Sequence, residues 1–224
     1  MQIERKKYFI NAHEIPSRTF GPVTIFDLRE TDLLPHDYQE RMKSLAQHAE
    51  LVEMKGGADP SSLESPGTIV PYRVVDGETI RNLPDGVWLD DLYRGAFTQL
   101  ASQLSGEKMA PSTDIKSGAN LNVVGRGHRY ELHKDTNPLT GLLYPDSVRK
   151  GEGGVLSVQV DNNVELRISP QEGMLLLSAL DQTPHQVLVY TGRVPRLSGV
   201  MNFFPQGKEP QRRPTLTRHV LNTQ

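Results

Sequence analysis

The stretch Tyr130-Glu131-Leu132-His133-Lys134-Asp135-Thr136-Asn137-Pro138-Leu139-Thr140-Gly141-Leu142-Leu143-Tyr144 sets how the rest of the chain is read. It holds two short β-prone runs, over 129–133 and 139–144, split by the turn signal Asn137-Pro138. The same rhythm continues on both sides. Upstream lies 121–124, ended by Gly125 and Gly127. Downstream lie 155–160, 164–168, 174–179, 186–190 and 197–204. Their separators are the Gly-rich 151–154, Asp161-Asn162-Asn163, 170–173 and Thr191-Gly192. Eight short strands at this spacing predict a jelly roll or a related double sheet.

The first half reads differently. Pro35 opens a helical pattern in which Tyr38, Met42, Leu45 and Ala49 recur at spacings of four and three. A second helix is expected over 89–104, with Leu89, Tyr93, Ala96, Leu100 and Leu104 on one face and Gly106 as its stop. The run 69–75 reads as a strand, and the Gly/Ser/Pro-rich 56–66 as a loop and a lid candidate. The fold class expected is mostly β with flanking helices (α+β). It is one domain over 1–224, with helical support and first strands over 1–115, a jelly-roll core over 116–205 and a tail over 206–224.

Composition narrows the chemistry. The 224 residues hold 25 Lys+Arg against 27 Asp+Glu and no Cys. No thiol nucleophile, disulfide or Cys-ligated metal is available, so any metal is held by His, Asp or Glu. A net charge of −2 offers no electrostatic attraction for nucleic acid or an anionic membrane. The charged N-terminus lacks a signal-peptide core, and no apolar run reaches a membrane span, so a cytoplasmic protein is expected. A homodimer is compatible with these features.

Of seven histidines, two stand in informative places. His133 and Asp135 are i and i+2, so on one strand they face the same side. His185 lies 50 residues on, at the start of another expected strand. Two His and one carboxylate on one side of an ion form the facial triad of non-heme Fe(II) oxygenases. The alternative is two strand histidines bonded to nearby backbone. Arg196 follows on the next strand, where it could reach the same cavity and fork onto a carboxylate, with Ser198 on its side and Tyr144 nearby. Arg193, beside Gly192 in an expected turn, is its rival.

His133-x-Asp135, Gly153-Gly154-Val155-Leu156, Pro184-His185 and Arg196-x-Ser198, in this order and spacing, resemble the 2-oxoglutarate- and Fe(II)-dependent dioxygenases. The resemblance covers about 119–205 and is nearest the prolyl-4-hydroxylase-like branch. The stretch 130–141 looks like bacterial members that act on small molecules, including free-amino-acid hydroxylases and halogenases. The resemblance implies a double-stranded β-helix and three co-factors or co-substrates: Fe(II), 2-oxoglutarate and O2. It implies His133, Asp135 and His185 as metal ligands and catalytic centre. Arg196 would bind the distal carboxylate of 2-oxoglutarate, aided by Ser198 and Tyr144, while Gly153-Gly154 would be a structural turn. Halogenase relatives have a small residue where Asp135 stands, so the presence of Asp135 implies hydroxylation.

The expected partner is a small molecule, an amino acid or a derivative. Asn122, Tyr130 and Asn202 sit on or beside strands that should line the cavity, and Asn120 and Asn137 are near in sequence. Arg126 and His128 fall in a Gly-x-Gly turn at the expected rim. That turn follows no βαβ unit, so it does not point to phosphate. A hydroxylase of protein or peptide side chains, and a cupin-like metal-binding protein that uses no 2-oxoglutarate, are the competing classes. Arg196 separates the last, because such a protein needs no carboxylate anchor.

Overall fold

The computed structural model describes residues 6–57, 61–161, 164–181 and 183–210. Strands are β1 (Tyr8–Ile10), β2 (His13–Ile15), β3 (Ser17–Phe20), β4 (Val23–Asp27), β5 (Glu50–Lys55), β6 (Ile69–Val75), β7 (Met109–Pro111) and β8 (Ala119–Val124). They continue with β9 (Tyr130–His133), β10 (Leu139–Tyr144), β11 (Leu156–Asp161), β12 (Val164–Ile168), β13 (Met174–Ser178), β14 (His185–Val187) and β15 (Arg196–Pro205). Helices are α1 (Tyr38–Ala46), α2 (Gly77–Asn82), α3 (Val87–Leu92), α4 (Thr98–Ser105) and α5 (Ile115–Gly118).

Two antiparallel sheets carry the fold. The larger runs β3-β4-β13-β10-β15-β8-β6-β5, with β7 paired to β15; the smaller runs β12-β11-β14-β9. Alternation along each strand of the larger sheet sorts its side chains. Leu175 and Leu177 of β13, Leu139 and Leu143 of β10, and Leu197, Met201 and Phe203 of β15 pack in one core with Met42, Leu45, Leu89 and Phe97 of the helical layer. Met174, Leu176 and Tyr144 point the other way, into a second core with Leu156, Val158, Ile168 and Val187 of the smaller sheet. The space between the sheets, beyond this second core, is the cavity described below.

The expected jelly roll is present, with helices on the outer face of its larger sheet. The first 115 residues are richer in strand than their periodicity suggests. They supply β1 to β7, and β3, β4, β5 and β6 widen the larger sheet on both sides. β6 is the strand expected over 69–75; β1, β2, β3 and β7 are only three or four residues long, too short to show a periodic pattern.

The expected second helix is continuous over 87–105, but its register slips. A π turn at Tyr93–Phe97 separates α3 from α4, and the Thr98 hydroxyl donates to the Tyr93 carbonyl (2.7 Å). The extra residue rotates Phe97 and Ala101 fully inward, while Ala96 and Leu104 stay partly buried. Gly106 ends the helix in the left-handed conformation, φ 77°.

Asn162 and Asn163 of the expected β11–β12 turn, and the tail from 211 on with Arg212, Arg213 and Arg218, lie outside the described residues. So do 58–60 of the lid candidate. Its described part is tied down: Leu63 and Lys134 backbone N–H groups donate to the Leu132 and Ser61 carbonyls (2.8 and 2.9 Å). Glu64 accepts a forked bond from Arg129 and one from the Leu132 backbone N–H (2.8 Å). The residues after β15 are held where Glu209 accepts from Ser112 Oγ and the Thr113 backbone N–H (2.5 and 2.6 Å).

Candidate functional site

β14 pairs with β9 so that His185 lies directly across from His133. Their rings stand 4.2 Å apart, tilted at 52°. Asp135 follows β9, and its backbone N–H donates to the Leu180 carbonyl (3.1 Å). Nε2 of His133 and Nε2 of His185 each lie 3.4 Å from Asp135 Oδ1. The three ligand-type atoms fall within 4.8 Å of one another.

Each imidazole is oriented from behind. His133 Nδ1 faces the Glu131 carbonyl (3.0 Å), and His185 Nδ1 faces the Thr183 carbonyl (3.0 Å). A carbonyl only accepts, so each Nδ1 carries its proton and each Nε2 turns a lone pair to the centre. Thr140 donates to Asp135 Oδ2. Thr140 in turn accepts from Asn137 Nδ2 (2.8 Å), which also donates to the Leu139 carbonyl (2.7 Å). This Asn137–Thr140–Asp135 chain fixes the carboxylate. The sequence reading passed over Thr140; the one signal for it was its position on β10, facing inward with Leu142 and Tyr144.

Electrostatics fit a metal. Burial raises the Asp135 carboxyl, but the hydrogen bonds and charges of His133 and His185 outweigh it and hold the group far below the carboxylate range. Burial lowers the His133 imidazolium, and Asp135 reverses that into a net rise. Without a cation, Asp135 favours a proton on His133. A divalent ion satisfies all three groups at once.

The other end of the cavity is cationic. Arg196, 4% exposed, begins β15. Its Nη1 lies 3.4 Å from Ser198 Oγ and its Nη2 3.4 Å from the Tyr144 hydroxyl. Its guanidinium sits 5.1 Å from the Tyr144 ring centre, and its Nε is buried with no partner. Among the described residues Arg196 forms no ion pair. Burial lowers its basicity, only partly offset by Tyr144. A buried cation with long contacts and an orphaned N–H is suited to receive an anion. Arg193, the rival, is exposed in the turn before β15.

Glycine makes the room. Gly153 and Gly154 have φ of +70° and +64°. A Cβ on Gly153 would stand 2.0 Å from the Val189 carbonyl oxygen, and one on Gly154 would stand 3.0 Å from Arg196 Cδ.

Both ends open on one cavity of ≈ 180 Å³. Apolar walls come from Met54, Val74, Val124, Leu142, Leu156 and Val200. Of the expected substrate residues, Asn122, Tyr130 and Asn202 line it, Tyr130 with its ring 5.2 Å from that of His133. Arg126 and His128 do not. Arg126 is exposed. The turn that carries both is clamped outside the cavity, with Gly127 N–H donating to the Tyr190 carbonyl (2.7 Å) and Tyr190 N–H to the His128 carbonyl (2.8 Å). Glu131, missed in the sequence, lines the cavity and is buried, accepting from Ser62 Oγ (2.9 Å). It shares the face of His133 because it stands two residues before it.

No protein-family model matches the sequence, and no curated protein matches it. Solved structures do match in shape. An oxidoreductase of the 2OG-Fe(II) oxygenase family from Burkholderia pseudomallei is 15% identical, with a TM-score of 0.59 over 86% of this chain and 89% of that one. A prolyl-4-hydroxylase from Pseudomonas putida is 16% identical, with a TM-score of 0.55 over 84% and 94%. The non-heme α-ketoglutarate-dependent epimerase SnoN of nogalamycin biosynthesis is 14% identical, with a TM-score of 0.59 over 82% and 78%. The chain therefore has the jelly-roll fold shared by 2-oxoglutarate/Fe(II) oxygenases.

Proposed function

We propose that the chain is an Fe(II)- and 2-oxoglutarate-dependent oxygenase that hydroxylates an sp³ carbon of a small molecule, an amino acid or a derivative of one. The observation that carries this reading is the pairing of two unlike ends in one cavity. His133, Asp135 and His185 form a candidate ligand set at one end, and Arg196, buried and without a counter-ion among the described residues, stands at the other. A metal centre alone needs no such cation, which speaks against a cupin-like protein that does without 2-oxoglutarate.

Bound iron would supply oxidising chemistry, with 2-oxoglutarate converted to succinate and CO2. The chain's own residues do the rest. His133, Asp135 and His185 hold the ion and leave one side of it open. Arg196, Ser198 and Tyr144 receive the distal carboxylate. Asn137 and Thr140 keep Asp135 in place. Leu142, Leu156 and Val200 exclude water from the space between. Asp135 itself favours hydroxylation, because it fills the ligand position that a halide would need.

Fold does not choose the substrate, since this fold serves both a prolyl-4-hydroxylase and a biosynthetic epimerase. The cavity volume favours a small molecule. Its ≈ 180 Å³ is below the about 300–1,000 Å³ of drug-sized sites. None of the helices of the described residues is long and apolar enough to cross a membrane.

Anaerobic addition of Fe(II) and 2-oxoglutarate should produce a weak visible charge-transfer band. A mass-spectrometric screen of amino acids and their conjugates should then find a gain of one oxygen that depends on both. Absence of the band in fully metallated protein would sink the reading.

A further inference from the structure

The path from anchor to triad runs over two strands. Thr140 of β10 holds Asp135 at one end, and Tyr144 of β10 forms the anchor at the other with Arg196 and Ser198 of β15. The same cavity extends sideways past β8, where Met54 of β5 and Tyr72 and Val74 of β6 line it. β6 is two strands from β15, about 10 Å at the ordinary strand spacing. This alcove is therefore off the path that the co-substrate fills.

β9 and the segment beside it roof the alcove. Where β14 runs from His185 to Val187, β9 runs from His133 back to Tyr130, one residue more. Such a bulge re-aims side chains, and Tyr130, Glu131 and His133 all line the cavity. The Tyr130 ring packs on that of Tyr72, with centres 4.8 Å apart, and stands 5.2 Å from that of His133. The alcove thus opens beside a candidate metal ligand. Ser62, bridged to His133, donates to Glu131 (2.9 Å). Glu131 is 1% exposed, whereas Lys134, the other charged lining residue outside the triad and the anchor, is part-exposed. The Tyr72 hydroxyl is buried and has no hydrogen-bond partner.

We propose that this alcove receives the primary substrate and that Glu131 selects one bearing a protonated amine. The inference rests on the oxygenase reading above and deepens it. A buried carboxylate is costly to desolvate, and an incoming cation offsets that cost. The bond from Ser62 does not exhaust Glu131, because a carboxylate has about four acceptor sites. An ammonium carries several N–H donors, so it can serve Glu131 and the open Tyr72 oxygen together. The Tyr72 and Tyr130 rings favour a cation over a neutral group. A neutral amide would return hydrogen bonds but no charge, and a carboxylate would meet Glu131 with like charge.

The test uses the full chain and two probe sets, free amino acids and the same compounds with every amino group acetylated. 2-Oxoglutarate is first titrated anaerobically into Mn(II)-loaded protein. Each probe is then titrated into that complex by calorimetry, and oxygen gain is measured with Fe(II) in place of Mn(II). A free amino acid should bind and be oxidised with kcat/KM at least about tenfold above its acetylated form. Glu131→Gln keeps the shape and removes the charge. It should weaken binding of the free form about tenfold or more and bring the two forms within about threefold of one another, with 2-oxoglutarate affinity within about twofold of wild type. Tyr72→Phe removes only the unpartnered hydroxyl, should weaken the same probe about threefold or more, and serves if the Gln variant does not fold. Equal or better binding of the acetylated forms would overturn the proposal. So would binding of neither set while 2-oxoglutarate binds, preserved discrimination in folded Glu131→Gln, or unchanged affinity in Tyr72→Phe. Failure of wild type to bind 2-oxoglutarate removes the oxygenase reading and the proposal with it, and shows at the first step, before any amine is added.

Discussion

The two ends of the cavity are built on opposite electrostatic plans. At the His133 end, a carboxylate faces two imidazoles, each 3.4 Å away. At the Arg196 end, a guanidinium is buried against two neutral hydroxyls and an aromatic ring. The first end sets an anion against two groups that can offset its charge, the arrangement a metal ion would need. The second leaves its positive charge without a counter-ion among the described residues. A site whose stability and function are in conflict at one end, and compatible at the other, tells which end was shaped by a ligand alone.

Metal addition should break or uphold this contrast most visibly. Mn(II) at about 100 times its Kd should stabilise the apo-protein by about 2.7 kcal/mol, which is about 5–10 °C in Tm for a chain of this size. Asp135→Ala or His133→Ala should abolish both that shift and all 2-oxoglutarate-dependent succinate formation. A normal shift in either variant would place the metal elsewhere.

Arg196→Met should divide function from stability. Affinity for 2-oxoglutarate should fall about 100- to 1,000-fold, as for removal of one partner of a buried charge pair. The apo-protein should become more stable in urea, by about 1–4 kcal/mol, because a buried unpaired charge is gone. A loss of stability would show that Arg196 is satisfied as it stands.

Thr140→Val keeps the volume and removes the hydrogen bond to Asp135. Metal affinity should drop about 10- to 100-fold, read by competition with a chelator, with 2-oxoglutarate affinity in metal-saturated protein little changed.

The smallest effect concerns the segment beside β9. The Arg129 guanidinium holds the Glu64 carboxyl below its ordinary value of 4.5. A depressed carboxylate contributes stability that is complete above 4.5 and is lost as pH falls through the lower folded value. Hydrogen exchange at the Leu132 amide, which donates to Glu64, should accelerate in acid after correction for intrinsic rates. It should do so at all pH values in Glu64→Gln.

Much of the core was legible because its signals are local. β-Prone runs bounded by turn signals marked β8, β10, β12, β13 and β15, and the two-residue spacing put His133 and Asp135 on one face whatever their strand paired with. The N-terminal strands were not legible. β1 to β4 are three to five residues long, and they become strands by docking on β2, β13 and one another. The π turn escaped because the apolar spacing over 89–104 fits an unbroken α-helix.

The sequence by itself determined the fold class, the chemistry available without sulfur, and a short set of His, Asp and Arg candidates. Only the tertiary structure decided among them. It put His185 across from His133, buried Arg196 and left Arg193 exposed, and kept Arg126 and His128 out of the cavity. The reason is the range of the forces involved. Side-chain direction along one strand follows from backbone geometry. Which residue meets which across 50 or more positions follows from strand register, and register is set by the packing of both sheets at once.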